Sequence, residues 1–245
     1  MARDFDGTGK ITYASAPAAL KPTNDFSIFC WANMDNNGDF NHELMSMGDC
    51  YAFRMQKDGT KVNCFKHISG SWIEATNTST SVSRGAWHSY CAVFSSTGTG
   101  ITFYLDGTST ATNANTSNLV YDQGTGFLIG AHGNGGTTRD ADGRICEVAV
   151  FDKKLSAGEI AALNSGFSPL FFASSLLFYA PLIGRNSPEP DLINGITGTL
   201  TNTANADHPR IIYPSSSQMR KFKSAAGVST SVKDLIGGGF IPYSR

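Results

Sequence analysis

Ile101-Thr102-Phe103-Tyr104-Leu105-Asp106-Gly107-Thr108-Ser109-Thr110-Ala111-Thr112 reads as two strand-like runs on either side of Asp106-Gly107. An Asp-Gly pair between such runs is the strongest short-range signal for a two-residue β-hairpin, because its turn needs positive φ at both central positions. Upstream, residues 26–34 (FSIFCWANM) place Phe26, Ile28, Cys30, Ala32 and Met34 on one side and Phe29 and Trp31 on the other. That pattern belongs to a strand buried on both faces. Further strands are expected at 51–56, 61–67, 72–75, 87–95, 126–130 and 144–151. Short strands separated by recurrent turn signals predict an all-β sandwich or jelly roll.

Only one segment reads as helix. Ser156-Ala157-Gly158-Glu159 is a capping box, in which Ser156 accepts from the third helical amide and Glu159 reaches back. Ile160, Ala161 and Leu163 follow, and Gly166 is placed to terminate the helix. The helix is expected to plug one edge of the sandwich. Residues 167–182 return to apolar, strand-like sequence, 184–208 are polar and turn-rich, and 214–245 read as an extension.

Composition narrows the function. The 245 residues include 26 Gly and 9 Pro, with 40% hydrophobic and only 16% charged residues. A real core is affordable, and disorder throughout is excluded. Nineteen basic and twenty acidic residues leave a net charge of −1, with no field to hold nucleic acid or an anionic membrane. No apolar run approaches the ~18 residues that span a bilayer. Residues 1–7 carry no apolar leader core, so folding in a cytoplasm is expected. Cys30, Cys50, Cys64, Cys91 and Cys146 are odd in number and lack metal or disulfide spacing; they read as small buried hydrophobes kept reduced. Trp31 and Trp87 are assigned to the core.

Seven segments in order carry a family resemblance. They are Asp4-Phe5-Asp6-Gly7-Thr8-Gly9, Phe26-Ser27-Ile28-Phe29-Cys30-Trp31-Ala32, Gly85-Ala86-Trp87-His88, Ile101 to Gly107, Phe127-Leu128-Ile129-Gly130, Gly143 to Phe151, and Leu155-Ser156-Ala157-Gly158-Glu159-Ile160. Across residues 3–166 the chain resembles the laminin-G-like, concanavalin A-like lectin/glucanase superfamily. The segments Tyr179-Ala180-Pro181-Leu182, Pro188 to Gly195 and Asp207-His208-Pro209 resemble the tail that follows such domains in phage and prophage proteins. The resemblance implies a two-sheet antiparallel jelly-roll sandwich at 1–166, a strand-forming extension packed on it at 167–213, and a C-terminal assembly arm at 214–245. Family members include glycan binders, protein binders, hydrolases and particle builders, so fold alone does not assign function.

The chemistry favours a non-enzyme. The glucanase branch carries a Glu-x-Asp-x-Glu run, and none occurs here. Glu189-Pro190-Asp191 has same-face spacing but lies in the tail. No Gly-x-Ser-x-Gly elbow occurs, and His88, after the family's Trp, reads as structural. No cofactor is expected beyond a structural Ca²⁺, which the resemblance implies at the rim, with Asp106, Asp140 and Asp142 as candidates. Against it, Cys146 stands where relatives place an acid. Glycan recognition needs an exposed aromatic with polar groups beside it. Two loops qualify, 66–72 with Trp72, and 131–140 with His132, Asn134, Arg139 and Asp140. The arm's Leu235, Ile236, Phe240, Ile241 and Tyr243 form an apolar cluster suited to docking between subunits.

The expectation is a phage virion structural protein, a capsid decoration or tail component made in the host cytoplasm. Its expected partners are capsid or tail subunits, copies of itself in a homo-oligomer, and host-surface glycans, with no nucleic acid and no membrane. A soluble lectin and a glycoside hydrolase of the same fold are the alternatives. The cysteine reading has a direct check: a thiol reagent should react slowly with native protein and titrate five thiols after denaturation without reductant. Fewer than five would reveal a disulfide.

Overall fold

The computed structural model describes residues 2–13, 18–35, 42–55, 61–77, 81–124, 126–133 and 139–215. Its elements, in chain order, are β1 (Ala2–Tyr13), β2 (Phe26–Met34), β3 (His42–Met47), β4 (Tyr51–Met55), β5 (Val62–Ile68), β6 (Ser71–Asn77), β7 (His88–Phe94), β8 (Ile101–Leu105), β9 (Thr108–Asn113), β10 (Phe127–Ile129), β11 (Asp142–Phe151), α1 (Ala157–Asn164), β12 (Leu176–Ala180), β13 (Glu189–Pro190) and β14 (Thr197–Ala206). Hydrogen bonding follows the antiparallel path β6-β5-β4-β3-β10-β1-β11-β2-β7-β8-β9. The two ends approach each other, and Asn113 Nδ2 of β9 donates to the Glu74 carbonyl of β6 at 2.9 Å. The sheet is therefore all-β, mostly antiparallel and nearly closed.

The interior is aromatic. Phe26 and Phe94 stack at 4.4 Å, and Tyr13, Phe127 and Phe178 meet edge to face. A second apolar cluster covers the opposite face of β2, β7 and β11: Phe29, Cys91, Ala149 and Phe151 pack against Ile160 and Leu163 of α1 and against Leu170, Leu176 and Tyr179. That layer explains why β2 is apolar on both sides. It also places α1 over a sheet face instead of at an edge. The capping box forms, with Glu159 N–H donating to Ser156 Oγ at 3.3 Å and Ser156 N–H to Glu159 Oε2 at 2.9 Å. All five cysteines are buried and unbridged.

Four strands are absent from the sequence reading, the two-residue β13 among them. β3 (HELMSM) is buried at every position, so it shows no alternation. β1 is rich in polar residues and glycine, and β14 is almost entirely polar. β14 pairs along β1, while β12 pairs with β11. The stretch 66–72, read as a loop, is instead the β5–β6 hairpin with only Ser69-Gly70 at its turn, both at positive φ. Lys66 is consequently buried, donating to the carbonyls of Asn115 at 2.8 Å and Ser117 at 2.7 Å.

Glu189 and Asp191 are both fully buried. Glu189 Oε1 accepts from Arg3 Nε at 2.7 Å, and Arg3 also donates to Asn205 Oδ1 at 2.9 Å and to the Asn186 carbonyl. Asp191 accepts from the backbone N–H groups of Tyr179, Ile193 and Asn194. Burial holds the Glu189 carboxyl above its ordinary value even beside Arg3. Removing one member of such a pair leaves the other charge uncompensated, at about 3–5 kcal/mol. Arg3→Ala should lower unfolding free energy in urea by that order, and adding Glu189→Leu should recover part of the loss.

Candidate functional site

Period-2 alternation in β3–β6 sends Tyr51, Phe53, Met55, Val62, Cys64 and Ala75 into the core. The opposite face presents Arg54, Asn63, Phe65, His67, Trp72 and Glu74. On it, Arg54 sits 4.7 Å over the Phe65 ring. Arg54 Nη2 and Nε donate to Glu43 Oε1 at 3.0 and 3.2 Å, and Arg139 Nη1 lies 3.4 Å from the same oxygen. Glu43 Oε2 meets His132 Nδ1 at 2.9 Å, and His132 Nε2 lies 2.7 Å from Asp49 Oδ1. A fully buried Glu43 carboxylate is thus compensated by two guanidiniums and an imidazole, the arrangement such burial demands.

The row ends in Trp72, which is 43% exposed. Its ring is propped edge-on by Phe65 at 4.7 Å and His67 at 4.8 Å. An aromatic fixed from beneath and open above is a stacking platform. Of the residues read from sequence as ligand contacts, Trp72 is exposed and Arg139 half-buried. His132 is buried between two carboxylates, and Asp140 is buried with its carbonyl 2.7 Å from His42 Nδ1. Asn134 and the arm residues Leu235, Ile236, Phe240, Ile241 and Tyr243 lie outside the described residues. Glu43, Asp49, Arg54 and His67 were not singled out from sequence as site residues. A lone Glu inside the apolar run of β3 was the available signal.

The three calcium candidates do not converge. Asp106 sits in the β8–β9 turn, where its oxygens accept from Ser89 N–H at 3.0 Å and meet His88 Nδ1 at 2.7 Å. Asp140 and Asp142 lie at the start of β11, where burial raises both carboxyls and Asp6 adds repulsion. Among the described residues, no group of three or more His, Cys, Asp or Glu side chains is placed to hold a metal. Among the described residues these three carboxylates form no common donor set for Ca²⁺.

His88 bridges Asp106 and Ser83: Nε2 lies 2.8 Å from Ser83 Oγ and 3.0 Å from the Ser83 carbonyl. These are the distances of a Ser-His-Asp triad. Nε2 faces both the hydroxyl and the carbonyl of one residue, and Nδ1 faces Asp106, so the imidazole ties Ser83 to the β8–β9 turn. The hydrogen bond to Asp106 holds the His88 imidazole above its ordinary value. His88 is therefore a clip between the 83–88 loop and the hairpin.

The family model of the concanavalin A-like lectin/glucanases superfamily matches residues 6–161. A protein from Bacteroides ovatus, assigned as a carbohydrate binding protein, superposes with TM-score 0.67 at 19% identity over 86% of this chain; this chain spans 61% of that one. Domain 4 of an extracellular arabinanase from Geobacillus stearothermophilus, solved with arabinotriose, gives TM-score 0.52 at 16% identity, covering 66% of this chain and 76% of that one. The NanB sialidase of Streptococcus pneumoniae gives 0.54 at 12%, covering 66% and 27% respectively. At these identities the likeness is one of fold. No curated protein matches the sequence. Among the described residues no helix is long and apolar enough to cross a membrane.

A raised imidazole in the folded state contributes stability that is full below the unfolded value of about 6.5 and is lost as pH rises through the folded value. His88→Gln should therefore cost more at pH 5.5 than at pH 9 in urea unfolding. With Asp106 44% exposed, solvent screening limits the difference to about 1 kcal/mol. Equal cost at both pH values would show that the clip is uncharged.

Proposed function

Because the chain belongs to the concanavalin A-like lectin/glucanase superfamily, we propose that it is a non-enzymatic glycan-binding protein, a two-layer jelly roll whose contact surface centres on Trp72. The observation that carries this reading is the exposed indole, held rigid by Phe65 and His67 at the end of a polar sheet face. Pyranose rings present apolar faces to such a platform, and their hydroxyls find Glu74 on the same sheet face. The absence of catalysis is supported by the use of Glu189 and Asp191, whose sequence spacing alone suits a glycosidase, as buried anchors. Glu43 is likewise enclosed by cations.

One stacking contact is worth on the order of 1 kcal/mol, so monovalent binding would be millimolar and display in many copies would raise it. Multivalent protein is expected to bind a subset of a glycan array, and Trp72→Ala is expected to lose that signal. Binding unchanged by Trp72→Ala would remove this site, and turnover of a bound polysaccharide would remove the non-enzymatic reading.

A second reading places the protein in a phage particle as a capsid decoration or tail component, using residues 214–245 as its anchor. Five buried, unbridged thiols favour folding in a reducing cytoplasm. Its test is the presence of the chain, at fixed stoichiometry, in purified particles.

A further inference from the structure

The charges around Trp72 define what the platform accepts. Three basic side chains beside this face are engaged by carboxylates. Arg54, 11% exposed, is held by Glu43; His132 lies between Glu43 and Asp49; Arg139 reaches Glu43. Of the carboxylates beside Trp72, Asp122 is 49% exposed, while Glu74, two residues from Trp72 on the same face of β6, is 35% exposed, accepts from Asn63 Nδ2 at 3.0 Å and lies 4.0 Å from Arg54 Nη1.

His67 supplies an independent observation. It is nine-tenths buried and its ring supports Trp72, yet its Nδ1 has no hydrogen-bond partner among the described residues and faces Asp122 Oδ1 at 4.0 Å. A buried polar nitrogen without a partner costs free energy that a ligand group can recover. Its ring packs on the indole and its Nδ1 faces Asp122, so it joins the aromatic and the carboxylate in one patch.

Resting on the lectin reading above, we propose that this site selects glycans carrying free ammonium groups, polymers of amino sugars, and turns away uronate and sialylated chains. The indole face attracts a cation through its quadrupole, and Asp122 and Glu74 add Coulomb attraction. His67 Nδ1 takes a hydrogen bond from, or gives one to, a neighbouring hydroxyl. An anionic sugar meets the same two carboxylates and is repelled by them.

The experiment compares multivalent full-length protein on immobilised glucosamine oligomers, their N-acetylated counterparts and galacturonate oligomers, at 20 mM and 500 mM NaCl. Glucosamine oligomers are expected to bind about fivefold more tightly than the acetylated ones at low salt, with the difference largely gone at high salt, where the Debye length is only a few ångströms. Trp72→Ala is expected to lose the binding, which separates the site from unspecific attraction to a polycation. Asp122→Asn is expected to reduce the preference about twofold to threefold. Acetylated or uronate oligomers bound through Trp72 as tightly as glucosamine would overturn the selectivity and leave the lectin reading standing. Glucosamine binding insensitive to Trp72→Ala would overturn it as well. If none of the three ligands nor any other glycan is bound, the lectin reading falls and this inference with it.

Discussion

The Glu147 carboxylate ties the closed sheet to the chain that follows it. Glu147 lies inside β11, which pairs with β1, β2 and β12, and it adopts φ +55° where the register with β2 shifts. A non-glycine residue in this region costs about 1–3 kcal/mol and persists only where its surroundings over-determine it. Here the determinants are explicit. Tyr179 and Tyr213 donate to its two oxygens at 2.7 Å each, His208 Nε2 lies at 3.4 Å, and Ser168 Oγ is 3.1 Å from the Tyr179 hydroxyl. Burial pushes both phenols well above their ordinary values, so they remain donors. All four partners come from residues beyond α1.

The same logic recurs at the other end of that segment. Arg3 on β1 holds Glu189, and Asp191 gathers three backbone amides. Buried acids thus tie β12, β13 and β14 to the strands formed earlier in the chain. Polar β14 then covers β1 without needing an apolar face of its own, because backbone pairing and these anchors hold it.

On the β3–β6 face, the charged row and the aromatic end have different tasks. Around Glu43, paired charges satisfy one another at low exposure, which makes the face rigid and leaves little net field. Around Trp72 the pairing is looser: Asp122 is 49% exposed, Glu74 lies 4.0 Å from Arg54, and His67 Nδ1 faces Asp122 at 4.0 Å with no hydrogen bond. The two ends of the face therefore differ in how completely their charges are paired, which is the basis for proposing Trp72 as the contact point. His88 shows another use of paired polar groups, with its imidazole tying Ser83 to the Asp106 turn.

Local chemistry in the chain was enough to determine the all-β class, the Asp106-Gly107 hairpin, the double-sided burial of β2 and the capping box of α1. Each depends on residues within a few positions of one another, where turn geometry and side-chain period act directly. The exposed Trp72 was also legible, as an aromatic beside polar residues. The partners of Glu43, Glu147 and Glu189 were decided by the tertiary structure alone. Arg3 and Glu189 are 186 positions apart, and His132 reaches Glu43 across 89. No periodicity encodes such meetings, because a buried carboxylate is compensated by whichever cation the folded sheet brings within reach. The strands without alternation, β3 and β14, were hidden for the related reason that their burial is set by neighbours from distant sequence and not by their own pattern.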